Sequence, residues 1–107
     1  MKKKEVTEKM LVSEAEHRTI RGTKQFAEMD AAYLAGKPVE FKQKIAVLSD
    51  KGMISAWIWC ARLGEMANVH LNTMMGTEPG GVLPGGAGEL IAAAVRRVQA
   101  EQARKHA

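Results

Sequence analysis

Glu14-Ala15-Glu16-His17 holds a Glu-x-x-His pair. On a helix its two ends face one way, as in carboxylate-bridged metal bundles. Such sites need a second motif of the same kind and further carboxylates on other helices. The other candidate, Glu65 before His70, has the wrong spacing. The expectation is an exposed histidine beside solvated glutamates and no metal. Cys60 with a histidine would make a nucleophile pair if its thiol sat in an electropositive, partly open setting. It stands between Trp59 and Ala61 in the most apolar stretch of the chain, which predicts a packed, inert thiol. The glycine-rich run 76–88 precedes a helical pattern, where free N–H groups and the helix dipole favour an anion. It lacks a Gly-Lys-Ser/Thr ending and a preceding strand, and Glu89 would sit where the phosphate should go. With no Gly-x-Ser-x-Gly element and no paired carboxylates, the expectation is a non-enzymatic protein without a cofactor.

The stretch Phe41 to Gly64 has the rhythm of a helix-turn-helix. It resembles small phage repressor-type domains in having an alanine in the first helix and a tryptophan in the second. In that alternative, a small DNA-binding regulator, Lys42, Lys44, Lys51 and Ser55 would contact nucleic acid. Two features oppose it. The turn glycine, Gly52, falls late. The second helix opens Met53-Ile54-Ser55-Ala56-Trp57, without the polar side chains that reach base edges. A plain helical hairpin is the preferred reading.

The elements that would position these residues are helical. Residues 53–75 hold both tryptophans, the cysteine and four of the seven methionines. Met53, Trp57, Cys60, Gly64, Ala67, Leu71 and Met74 alternate spacings of four and three, one face of a helix. Ile54, Ile58 and Ala61 add a second row, so the spacing predicts a central helix buried on most sides. Ser13 with Glu16 fits a capping box, which starts a helix at Glu14. The alternative is one long helix from Glu5 to Ala35. Gly22-Thr23 marks a break, with Thr23 as the next N-cap. Residues 24–35 then form a helix closed by Gly36. Pro38 opens another, with Phe41, Ile45 and Leu48 as its apolar stripe. Ser49 to Gly52 is read as a turn. The run 76–88 holds six of the ten glycines and two of the three prolines, which predicts a long loop without regular structure. The last helix is expected from about Glu89 to Arg104. The fold expected is all-α: one domain over 1–107, a small bundle of four or five helices.

The chain has 107 residues and a net charge of +4, which permits acidic partners but demands none. Its lone cysteine excludes an internal disulfide and suits a reducing compartment. Lys2 to Lys4 imitate the start of a signal peptide, but Glu5, Glu8 and Lys9 interrupt the apolar run it requires. The apolar stretch from Met53 is closed by Arg62, short of the roughly 20 residues that span a bilayer. A soluble cytoplasmic protein is expected. Met66, Met74 and Met75 could line an adaptable groove, although core filling is the usual role of such a stripe. Val82-Leu83, an apolar pair inside the glycine-rich run, wants burial against the domain or another protein.

In format the whole chain resembles the small proteins carried by phages and mobile elements, of which the inhibitors of type I CRISPR systems are one group. The resemblance lies in size and general character, and no family residue is carried over. It implies a protein that binds an RNA-guided surveillance complex of the host and blocks recruitment of DNA. The acidic groups Glu14, Glu16, Glu28 and Asp30 would then contact the complex's basic nucleic-acid surface. The net charge makes that contribution local.

Overall fold

Local capping chemistry divides the chain. The computed structural model describes residues 11–62, 68–78, 81–82 and 85–105. Helix α1 spans Glu14–Arg21 and begins with the expected box: the Ser13 hydroxyl accepts from the Glu16 N–H at 3.1 Å, and the Glu16 carboxylate accepts from the Ser13 N–H at 2.8 Å. Gly22 ends α1, and the Thr23 hydroxyl caps α2, Lys24–Ala35, by accepting from the Phe26 N–H. Gly36 closes α2 at φ 71°, a left-handed conformation that glycine adopts without steric cost. The Lys37 N–H reaches back to the Ala32 carbonyl, completing a Schellman motif. Pro38 then opens α3, Pro38–Ala46, where its missing N–H costs nothing.

Three expectations are corrected in the middle of the chain. Ser49 to Gly52 is not a turn: the Ser49 hydroxyl accepts from the Gly52 N–H at 3.0 Å, and α4 begins at Asp50. The single helix expected over 53–75 is two, α4 at Asp50–Ala61 and α5 at Asn68–Met75. Helix α4 ends where Arg62 folds back. Its backbone N–H and its Nη1 both donate to the Trp59 carbonyl, at 3.4 and 2.6 Å, and so satisfy a carbonyl that the end of a helix leaves free. The described residues therefore form six helices rather than four or five. Gly64 and Ala67 of the expected helical row and Met66 of the expected groove lie outside the described residues, as do Lys2 to Lys4 and the start of the alternative long helix.

The glycine-rich run differs from the structureless loop expected. Thr77–Glu78 (β1) and Gly81–Val82 (β2) pair antiparallel, with Thr77 opposite Val82. The last helix, α6, starts at Ala87 and runs to Lys105. Gly76, at φ 71°, and Gly86 explain part of the glycine density. A Cβ on Gly76 would sit 3.0 Å from the Gly86 Cα, so the two backbones meet where side chains cannot fit.

Helix α4 is the hub, touching α1, α2, α3 and α6. Its residues from Gly52 to Ala56 are buried without a break, as the surrounding apolar rows predict. Phe26, Met29 and Tyr33 of α2, Phe41 and Ile45 of α3, and Ile91, Ala94 and Val98 of α6 close around it. Each large aliphatic or aromatic side chain so buried contributes about 1.5–3 kcal/mol. Met74 and Met75 fill the same core rather than a groove. Tyr33 packs on Phe41 and, at 4.6 Å between ring centres, edge-on against His70, whose Nε2 lies 2.7 Å from the Tyr33 carbonyl. This docks α5 on α2. Asp50 takes a forked hydrogen bond from Arg97, with contacts of 2.8 to 3.1 Å, and ties the start of α4 to α6. Among the described residues no helix is long and apolar enough to cross a membrane.

Candidate binding groove

Glu14, His17 and Arg21 recur at three and four along α1, so they share a face. Ile58 and Ala61, three apart, share a face of α4, and Arg62 follows at its end. Where α1 packs on α4 these faces, with Val12 and Trp59, line an open groove of about 650 Å³. That volume is in the range of ligand sites.

Trp59 organises the cationic half. Its ring lies edge-on against Phe26, with centres 6.1 Å apart, and its Nε1–H donates to the Asp30 carboxylate at 3.1 Å. Both contacts anchor the indole to α2. The Arg62 guanidinium carbon lies 3.6 Å from the centre of the ring, and that of Arg21 lies 5.3 Å from it. The two guanidiniums are thus held less than about 9 Å apart, close enough for one ligand to engage both forks. Among the described residues neither is paired with a carboxylate.

Two polar atoms of the groove lie buried without a hydrogen-bond partner: Arg21 Nε and His17 Nδ1. An unsatisfied buried polar group costs about 1–3 kcal/mol. Burial holds the His17 imidazole below its ordinary value of 6.5, and the Arg21 charge adds to this, while Glu14 opposes it. His17 is half-buried, a correction to the exposed histidine expected. Glu14 stands at the rim, where Arg18 is its ion-pair partner at 3.9 Å. Among the described residues no group of three His, Cys, Asp or Glu is placed to hold a metal ion.

The other acidic residues named from the sequence have partners inside the chain. Glu16 binds Lys51 at 2.6 Å and Glu28 binds Lys44 at 3.6 Å, while Asp30 is engaged by Trp59. Leu83 lies outside the described residues. Val82 pairs with Thr77 through its backbone.

The alternative nucleic-acid set is also divided. Ser55 is fully buried, so it does not reach a base edge. Met53, Ile54 and Ala56 beside it are core, which puts the opening of the would-be recognition helix inside the molecule. Lys44 and Lys51 face Glu28 and Glu16. Lys42 is half-buried, with its Nζ near Gly85. At the start of α6 the Glu89 carboxylate accepts from the Gly85 N–H, so the chain's own anion occupies the position a phosphate would take. Cys60 is buried as expected. Burial, helped by the Asp30 charge, pushes its thiol up to about 12.

The sequence reading missed Arg21, Trp59 and Arg62 as a group. Two local signals were present: His17 and Arg21 at a spacing of four, and Trp59 and Arg62 at a spacing of three. Nothing local tells that the two pairs meet. Compared with models of protein families, with curated proteins and with solved structures, the chain has no match in any of the three.

Proposed function

We propose that this chain is a non-enzymatic binding module that works by docking onto another protein through the α1–α4 groove. One observation carries the reading: two arginines, both set against a single tryptophan, face an open groove without an acidic partner among the described residues, while Glu16, Glu28 and Asp30 are engaged within the chain. Arginine and tryptophan are the residues that most often anchor protein interfaces. In the class of proteins that the chain resembles in format, the partner would be an RNA-guided surveillance complex of a bacterial host. Occupying it would block recruitment of DNA. Arg21 and Arg62 support a contact made by cationic residues of this chain with a complementary, acidic surface on the partner.

The test is recovery of a partner from a nuclease-treated bacterial lysate. The wild-type chain is expected to retain a defined, stoichiometric set of proteins, and R21E/R62E is expected to lose it while keeping the wild-type circular dichroism spectrum. Recovery of nucleic acid alone, or of proteins released by nuclease, would contradict the proposal.

A further inference from the structure

The groove is cationic at one end and apolar along its walls, and this combination restricts what fits. Arg21 and Arg62 offer charge and hydrogen bonding. Val12, Ile58 and Ala61 offer apolar contact. The rim carries a carboxylate, Glu14, whose side chain is 77% exposed. A nucleic-acid backbone presents closely spaced phosphates and sugars; it would leave the apolar walls unmatched and bring phosphates against Glu14. A single carboxylate flanked by aliphatic side chains matches the cationic end and the apolar walls, and it brings less charge against Glu14 than a run of phosphates does. Its oxygens accept from the two guanidinium forks, and its neighbours cover Ile58 and Val12.

Resting on the reading of this groove as a protein-docking surface, we infer that the segment it takes is acidic and apolar in alternation: a glutamate or aspartate side chain bound by Arg21 and Arg62, with aliphatic residues beside it on Val12, Ile58 and Ala61. Trp59 itself is not a stacking platform for the ligand. Its ring already carries Arg62, and its N–H is taken by Asp30. It holds the two arginines in place.

The experiment uses the full chain and a short acetylated, amidated peptide alternating leucine and glutamate. Two control peptides replace glutamate by glutamine, or leucine by serine. Binding is read from the side-chain N–H resonances of Trp59 and of the arginines. The leucine–glutamate peptide is expected to shift the Trp59 indole resonance and to bind about tenfold more tightly than either control, the scale of one good charge-assisted contact. R21Q/R62Q should abolish the preference. R96Q/R104Q, which removes the same charge from exposed positions of α6, should leave it within about twofold, since exposed charges contribute little. E14Q removes the repulsive rim and should strengthen binding, a gain that misfolding cannot produce. Equal binding of the three peptides, equal loss in the two arginine pairs, or no gain in E14Q overturns the inference. So does a duplex oligonucleotide that displaces the peptide at equal concentration. If a protein partner is recovered through Arg21 and Arg62 but the leucine–glutamate peptide does not compete for it, the docking surface stands and the assigned ligand chemistry falls.

Discussion

Arg62 closes its own helix and covers Trp59 in one conformation: its guanidinium carbon lies 3.6 Å from the ring centre and its Nη1 donates to the Trp59 carbonyl at 2.6 Å. Because Asp30 fixes the far edge of the same indole, the groove's positive end is built outward from α2 through Trp59 to the arginines. Arg62→Ala should therefore lower stability by about 1–2.5 kcal/mol, the sum expected of an exposed cation–π contact and a hydrogen bond. Arg62→Lys should not restore it, since an ammonium lacks the planar fork. Urea denaturation followed by tryptophan emission reads both.

Asp30 is the support for this arrangement. Asp30→Ala leaves the Trp59 N–H without its acceptor and should cost about 1–3 kcal/mol. Asp30→Asn keeps an acceptor oxygen and should cost less than half of that. The comparison of chemical-denaturation midpoints decides it. An equal loss would show that charge, not the hydrogen bond, matters at this position.

The capping residues were legible in the sequence because capping depends on three or four neighbouring residues: Ser13 with Glu16, Thr23, Gly36 and Pro38 act as their types require. The division of the expected central helix was not. Its four-three spacing runs on to Met74, whereas the end of α4 is set by how Arg62 folds over Trp59. The pairing of Glu16 with Lys51, far apart in the chain, was equally hidden. For the same reason those carboxylates read as free contacts. The groove needed two faces that only the packing of α1 on α4 joins.

Two of the left-handed glycines, Gly36 and Gly76, should differ in sensitivity. At Gly36 an added Cβ meets nothing closer than the His70 Cε1 at 3.7 Å, so Gly36→Ala should cost only backbone strain, about 1 kcal/mol. At Gly76 it would lie 3.0 Å from the Gly86 Cα, which is backbone and cannot swing away. Gly76→Ala should therefore be distinctly the worse of the two in thermal unfolding.

Acid should destabilise the fold in two stages. His17 sits below its ordinary 6.5 in the folded chain, so the unfolded chain takes up a proton first. Its contribution is present above that value and is lost as pH falls through the folded one. Glu16, held down by Lys51, and Asp50, held down by Arg97, contribute above their ordinary 4.5 and 3.8, and that stability is lost at lower pH. His17→Gln should remove the first stage and leave the second, as read from urea midpoints across the acid range.

Cys60 is 1% exposed and its thiol is pushed up to about 12, so it should resist iodoacetamide in the folded chain at mildly alkaline pH. Modification should follow global unfolding, appearing at the same urea concentration as the loss of helical signal. Labelling without denaturant would show that α4 opens locally.

The central claim, that the α1–α4 groove is where this chain meets its partner, is tested most directly by the nuclease-treated recovery experiment with wild type and R21E/R62E side by side. The account predicts a defined protein complex with wild type, none with the double variant, and identical helical spectra for both. A complex retained in full by the folded double variant would contradict it and move the docking surface elsewhere on the molecule.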